Sequence, residues 1–546
     1  MSVVVFAFEG LDEASLERFA PDVPTITDLR ERGVSGTLEP TIPATSASVW
    51  ASLVTGTDPS YHGVFNETTP AGYPGTGRPV STIDVRRPTL WDYLTGEGAK
   101  TIVCGLPLTD PPGPMNGVVV PGRTAGNSSE VALPVADPSA GGSLPAFQQS
   151  RRGTIPKAAD TGLPVGCPWT VADLECSGEL PSLIDARRRL SVDLLDAEPW
   201  ELALVHVPMT DPSGTMPDGT TEMNRANYRA ADRLVTAVLE TVPDETTVVG
   251  CSPMGAPRPV EYRVHVNELL AANGLLEREP KPGSGTGDGL MPSVDALLAT
   301  ASSVFDRTSS VFGRASSVLD RTSSVFSRGS PHDDPNDVDW TSAYRWPRSR
   351  AFCPSATGAG VRLNVAGRER YGRVVNSAYE ETRATVLEVL HECRDPDGNP
   401  AFEFVCNREH LYDGPFVREA PDVICSTAGT ACTLAPEPGR RSCTSASGAT
   451  QLGPGTFFAA GPSIRENGHT EENAPLTAAD IAPLVMAALG RPVPTLMTGS
   501  VPEALVRGAV GYGTYTTVAH GTVLSDPTFD DALLGDHLEE FDYRTD

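Results

Sequence analysis

Two adjacent hydroxyl side chains, Thr45 and Ser46, lie at the start of a predicted helix over residues 46–54. The free N–H groups at a helix N-terminus and the positive end of its dipole favour an alkoxide or a bound phosphate. Ser46 is therefore a candidate nucleophile, and Thr45 is the second candidate. The alternative is that these residues only cap the helix, because Ser and Thr are favoured N-cap residues.

The elements that must position these hydroxyls alternate between strand and helix. Residues 3–8 form a continuous apolar run, which is typical of a buried parallel strand. Further strands are predicted at 34–38, 101–104, 201–207, 246–250, 361–365, 402–406 and 455–459. Helices are predicted at 222–240, 262–272, 377–393 and 478–489. This alternation predicts an α/β fold with a doubly wound, mostly parallel sheet flanked by helices.

Two stretches interrupt the alternation and suggest a division of the chain. Residues 124–180 are rich in Gly, Pro and Ser and are predicted to form loops within a first core segment, 1–275. Residues 276–340 are predicted to be an inserted cap or linker region. The core then continues over 341–500, and residues 501–546 form an acidic tail.

A seven-residue repeat in the second insertion predicts a helix over residues 302–329. Two adjacent apolar residues and one Arg recur in each repeat, which gives a narrow apolar stripe beside a basic one. The simpler interpretation is a linker helix that lies on the domain. The alternative is a docking helix for a protein partner or a membrane surface. A coiled coil is disfavoured, because adjacent apolar positions do not form an a/d seam.

The composition is strongly acidic, with 70 Asp and Glu against 42 Lys and Arg and a net charge of −28. Few lysines and many carboxylates predict a halophilic protein that stays soluble in high salt, or simply an acidic protein from a GC-rich genome. The charge argues against nucleic acid as a partner. No apolar run could form a transmembrane segment, and the N-terminus lacks the basic region of a secretory signal, so a cytoplasmic location is expected. The ten scattered cysteines are expected to be reduced.

Residues 43–65 continue with Thr55-Gly56 and His62-Gly63 at set distances after Ser46. This segment resembles the nucleophile segment of the type I phosphodiesterase/nucleotide pyrophosphatase family, in the alkaline phosphatase superfamily. Further stretches that resemble this family follow in order at 105–112, 116–122, 264–276, 361–369, 412–416, 420–423 and 480–483. The resemblance implies an alkaline-phosphatase-like fold, with Ser46 at the position of the nucleophile.

The resemblance also implies two metal ions, usually zinc, that are held by Asp and His side chains and activate the nucleophile. The first ligand position holds Glu9 in place of Asp, and the second keeps an acid as Asp211. The remaining ligand positions hold Thr215, Cys251, Ser252 and Gln451. None of the nine histidines lies at a family ligand position, and the nearest, His206, is expected to be a buried core residue.

Glu9, Asp211 and Ser46 could together bind one Mg²⁺, Mn²⁺ or Zn²⁺, but they do not supply the ligands of two zinc sites. The sequence therefore predicts a catalytically impaired pseudoenzyme that binds a phosphate-ester ligand or a partner and has no fully occupied metal site. One alternative is an active phosphodiesterase with a rebuilt or single-metal site and Ser46 as nucleophile. Another is a structural or assembly component.

Overall fold

The computed structural model describes residues 1–69, 78–122, 179–209, 221–279, 343–355, 360–439, 441–446, 450–466, 468–469, 475–516 and 518. The predicted helix over 302–329, Asp211, Thr215 and nearly all of the loop-rich stretch 124–180 lie outside these ranges. The chain divides into two compact units, the larger comprising Met1–Leu276 with Pro347–Asp546 and the smaller Glu277–Trp346. In the smaller unit, a β-bridge joins Arg278 to Tyr344, and Arg345 forms ion pairs with Glu277 and Glu279.

The larger unit alternates strands and helices. The strands of the first half are β1 (Val3–Glu9), β2 (Val34–Glu39), β3 (Thr101–Cys104), β4 (Gly117–Val120), β5 (Leu202–Pro208), β6 (Thr247–Ser252), β7 (Pro257–Pro259) and β8 (Tyr262–His265). Those of the second half are β9 (Ala351–Phe352), β10 (Gly360–Leu363), β11 (Phe404–Asn407), β12 (Val423–Ser426), β13 (Cys432–Ala435), β14 (Cys443–Ser445), β15 (Thr450–Leu452), β16 (Gly455–Ala460), β17 (Gly468–His469), β18 (Leu476–Thr477), β19 (Val493–Pro494) and β20 (Tyr512–Gly513).

The helices of the described ranges are α1 (Glu13–Phe19), α2 (Pro24–Arg32), α3 (Ser46–Thr55), α4 (Pro59–His62), α5 (Leu90–Gly96), α6 (Glu179–Ala197), α7 (Thr221–Thr241), α8 (Val266–Ala272), α9 (Tyr379–His391) and α10 (Ala478–Ala488). The predicted helix over 262–272 is wrong in its first turn. Residues 262–265 form β8, which pairs with β13 on one side and β14 on the other. These partners lie far away in sequence, so local periodicity does not indicate the strand.

A nine-stranded central sheet has the order β17-β2-β16-β6-β1-β5-β3-β4, with β18 also paired to β2. Strands β4, β3, β5, β1 and β6 are parallel, whereas β16 runs antiparallel to β6 and β2. The sheet is therefore mixed and mostly parallel, as the sequence predicts. The carboxyl ends of its parallel strands share one edge, where ligands bind in open α/β sheets.

Strand β1 is buried along its whole length because helices cover both faces of the sheet. Val3, Val5 and Ala7 face the side covered by α3, α5 and α10. Val4, Phe6 and Phe8 face the opposite side, which α1, α2, α6 and α7 cover. The hydrophobic effect thus fixes β1 at the centre and places its last residue, Glu9, at the carboxyl edge.

A buried ion cluster joins two of the stretches that resemble the family, 361–369 and 420–423. Asp422 is fully buried and accepts hydrogen bonds from Arg368, Arg408, Tyr379 and the Leu363 amide. Burial raises the pKa of Asp422, but the hydrogen bonds and charge of Arg368 outweigh it, so the pKa lies below its ordinary value. These residues hold the four-stranded sheet β11-β12-β10-β9 together and have a scaffold role.

Candidate functional site

The N-terminus of α3 separates the roles of the two candidate hydroxyls. Thr45 is buried, and its Oγ1 accepts a hydrogen bond from the Ser48 amide at 3.0 Å. Thr45 is therefore the N-cap of α3. Ser46 is the first residue of the helix and is only partly buried. Of the two hydroxyls, only that of Ser46 remains available to a ligand at the positive end of the helix.

The Thr-Gly and His-Gly pairs of this segment end helices. Gly56 follows α3 and Gly63 follows α4, each with a left-handed backbone, at φ values of 66° and 78°. His62 is fully buried, and its Nδ1 accepts a hydrogen bond from the Val64 amide at 3.1 Å. Its Nε2 must therefore carry the proton, which it donates to Ser52 Oγ at 2.9 Å. Burial lowers the pKa of His62 to about 3, so this imidazole is neutral and structural.

Glu9 ends β1 and contacts His206, with 3.3 Å between Glu9 Oε2 and His206 Nε2. Both side chains are buried, as the sequence predicts for His206. In the sheet register, Ala7 of β1 lies opposite both His206 of β5 and Cys251 of β6. Because side chains alternate along a strand, Glu9, His206 and Cys251 all lie on the face covered by α3.

Trp50 connects this group to the start of α3. Its ring meets the His206 ring edge-on, with 5.3 Å between the ring centroids. Trp50 follows Ser46 by four residues, so the two side chains lie on the same face of the helix. Trp50 and His206 are thus in contact, as are His206 and Glu9, and this group of side chains lies under the face of the helix that begins at Ser46.

Two residues at family ligand positions are part of the scaffold. Burial raises the pKa of the Cys251 thiol to about 12, and Cys251 packs in the apolar core beside Ala7 and Trp50. Ser252 Oγ accepts a hydrogen bond from the Leu11 amide at 3.0 Å and donates one to the Met254 carbonyl at 2.7 Å. In this conformation the Cys251 thiol serves core packing, and the Ser252 hydroxyl serves two backbone groups.

The other ligand positions are described only in part or not at all. The backbone of Gln451 belongs to β15, where it lies opposite Arg258 of β7, outside the central sheet. Asp211 and Thr215 lie outside the described ranges, so Asp211 stays a prediction.

The structure places one residue at the site that the sequence analysis does not identify. The Glu67 carboxylate accepts a hydrogen bond from the amide of Ala47, the second residue of α3, at 3.2 Å. Likewise, the sequence places His206 in the core without indicating its contact with Glu9. Strand register reveals the His206 contact, and loop geometry reveals the Glu67 contact. Neither has a local sequence signal.

A mostly parallel sheet with a helix-terminal hydroxyl beyond its carboxyl edge defines an α/β protein with a candidate ligand site at that edge. The family model described as type I phosphodiesterase / nucleotide pyrophosphatase matches residues 3–441. The chain belongs to this family.

Two solved structures are similar to the chain. A murine ectonucleotide pyrophosphatase/phosphodiesterase 5 aligns over 92% of this chain and 100% of its own, with 11% identity and a TM-score of 0.46. A phosphonoacetate hydrolase from Sinorhizobium meliloti, in complex with phosphonoformate, aligns over 90% of this chain and 95% of its own, with 14% identity and a TM-score of 0.47. No curated protein matches the chain significantly.

The side chains of the described ranges do not fit a two-metal centre. Within those ranges, no three His, Cys, Asp or Glu side chains are arranged to hold a metal ion. Of the family ligand positions described with side chains, only Glu9 carries a carboxylate, and it contacts His206. A zinc site needs about four donors. Across the same residues, no helix combines the length and apolarity needed to cross a bilayer.

Proposed function

We propose that this protein is a catalytically impaired member of its family that binds a phosphate-ester ligand without the family's two-metal hydrolysis. The observation that carries this proposal is the surroundings of the Cys251 and Ser252 side chains. The thiol lies in the apolar core, and the hydroxyl accepts one hydrogen bond from the backbone and donates another. A metal ion bound to this thiol would have to lie in the apolar core, where burial of a charge is costly.

Ligand binding is supported by the start of α3. The Ser46 hydroxyl is partly exposed at a helix N-terminus, because Thr45 rather than Ser46 caps the helix. A phosphate oxygen at this position would meet a hydroxyl donor and the positive helix end. Anion binding of this kind requires no metal.

The test compares wild type with Ser46→Ala, with and without added Zn²⁺ or Mn²⁺. Calorimetric titration with phenyl phosphate should give a dissociation constant that rises about tenfold in Ser46→Ala, since a hydrogen bond to a charged group is lost. Cleavage of bis(4-nitrophenyl) phosphate should stay at the uncatalysed rate in both proteins. Metal-dependent cleavage by wild type that disappears in Ser46→Ala would contradict the proposal and favour the active single-metal alternative.

A further inference from the structure

The first turn of α3 holds an anion supplied by the chain itself. Glu67 Oε1 accepts the Ala47 amide at 3.2 Å, and Thr45 Oγ1 accepts the Ser48 amide at 3.0 Å. A carboxylate therefore occupies one of the N–H groups that would bind a phosphate beside Ser46. In this conformation the negative charge of Glu67 already offsets part of the positive charge at the N-terminus of α3.

The backbone around Glu67 is fixed by hydrogen bonds. Its amide donates to Asn66 Oδ1 at 2.9 Å, and its carbonyl accepts from the Val80 amide at 2.9 Å. Thr68 forms a β-bridge with Pro79. The backbone that carries Glu67 is thus held in place by pairing, and this limits the positions that its carboxylate can take.

The same turn also has a hydroxyl group that finds no partner in the described part of the chain. The Ser48 hydroxyl is completely buried and has no hydrogen-bond partner among the described residues. A buried hydroxyl without a partner is unfavourable and is normally satisfied by protein, water or ligand. The turn that Glu67 contacts therefore contains one unsatisfied hydroxyl among the described residues.

We propose that Glu67 weakens anion binding at the site, because its carboxylate competes with anions for the Ala47 amide. Two anions cannot both accept a strong hydrogen bond from one N–H group. Two anions held side by side at that group would also repel each other. A phosphate group that uses the Ala47 amide together with the Ser46 hydroxyl must therefore displace the Glu67 carboxylate. This inference rests on the proposed phosphate-ester binding. It adds that the Glu67 carboxylate opposes this binding.

The test is calorimetric titration of the full chain with inorganic phosphate and with phenyl phosphate. Glu67→Gln keeps the shape and the hydrogen-bond acceptor but removes the charge, so it should bind both probes at least tenfold more tightly than wild type. Glu31→Gln removes the same charge from an exposed position on α2 and should leave both dissociation constants unchanged.

The outcomes separate this inference from the proposed function. Equal binding by wild type and Glu67→Gln overturns the role of Glu67 and leaves phosphate-ester binding intact. No binding by either protein overturns both. A second measurement needs no variant: phosphate should increase carbodiimide labelling of Glu67 in wild type, as the carboxylate leaves α3. Unchanged labelling at saturating phosphate contradicts the displacement.

Discussion

At Ser252 both hydrogen-bonding functions of the hydroxyl serve the backbone, one towards Leu11 and one towards Met254. Cys251 beside it is equally committed, because its thiol packs in the apolar core. Glu9 alone keeps a carboxylate among the described positions that the resemblance assigns to metal ligands, and it contacts His206. At these positions, which the resemblance assigns to metal ligands, the side chains of Cys251 and Ser252 thus serve packing and backbone hydrogen bonding.

His62 gives a pH-dependent prediction at the residue scale. Its pKa is about 3 in the folded protein against 6.5 as the ordinary value. The unfolded state therefore binds more protons between these pH values, so the free energy of unfolding falls as the pH is lowered. The loss should approach 1.4 kcal/mol per pH unit for this one proton. Urea denaturation of wild type and His62→Gln between pH 7 and 4 should show a shallower decline in the variant, and parallel declines would contradict the assignment.

At the scale of elements, α3 combines two functions in adjacent residues. Thr45 caps the helix start, whereas Ser46 is partly exposed and is the proposed ligand-binding residue. The buried cluster around Asp422 stabilises the small sheet on which α9 packs. Mutations at Ser46 and mutations at Asp422 should therefore affect different properties, ligand binding in the first case and stability in the second.

Thr45→Ala and Ser46→Ala form a matched pair. Removal of the N-cap hydrogen bond of Thr45 should lower the free energy of unfolding by about 1 kcal/mol. Ser46→Ala should change it by less than about 0.5 kcal/mol, because the Ser46 side chain does not cap the helix. Chemical denaturation measures both values, and a reversed order would show that Ser46 is the cap.

Asp422→Asn should lower the free energy of unfolding by about 3 kcal/mol or more, because Arg368 and Arg408 lose their buried counter-charge. Asp28→Asn is the control, since Asp28 pairs with Arg32 at an exposed position where ion pairs contribute less than about 1 kcal/mol. Equal effects in the two variants, measured by urea denaturation, would contradict the structural role of the cluster.

At the scale of the whole molecule, the net charge of −28 opposes the compact state through self-repulsion. The screening length shrinks from about 10 Å at 0.1 M salt to about 3 Å at 1 M. The melting temperature should therefore rise between 0.1 and 2 M KCl. A variant with several exposed Glu→Gln changes should show a smaller rise, and an equal rise in both would assign the effect to causes other than charge.

The sequence predicts those parts of the fold that are set by local patterns. The apolar run of β1 and the helix that begins at Ser46 are predicted from the sequence because each depends on neighbouring residues. Strand β8 is mispredicted because its pairing partners are distant in sequence. The same limit applies to the site, since the Glu9–His206 contact depends on the register of β1 and β5.

The most direct test of impaired catalysis is the metal content of the protein purified in high salt. Elemental analysis after dialysis against Zn²⁺ or Mn²⁺, followed by gel filtration, should give well below two equivalents per chain. The described donors provide no pair of metal sites, so this is the result that we predict. Two tightly bound equivalents per chain would contradict the account and indicate a working two-metal enzyme.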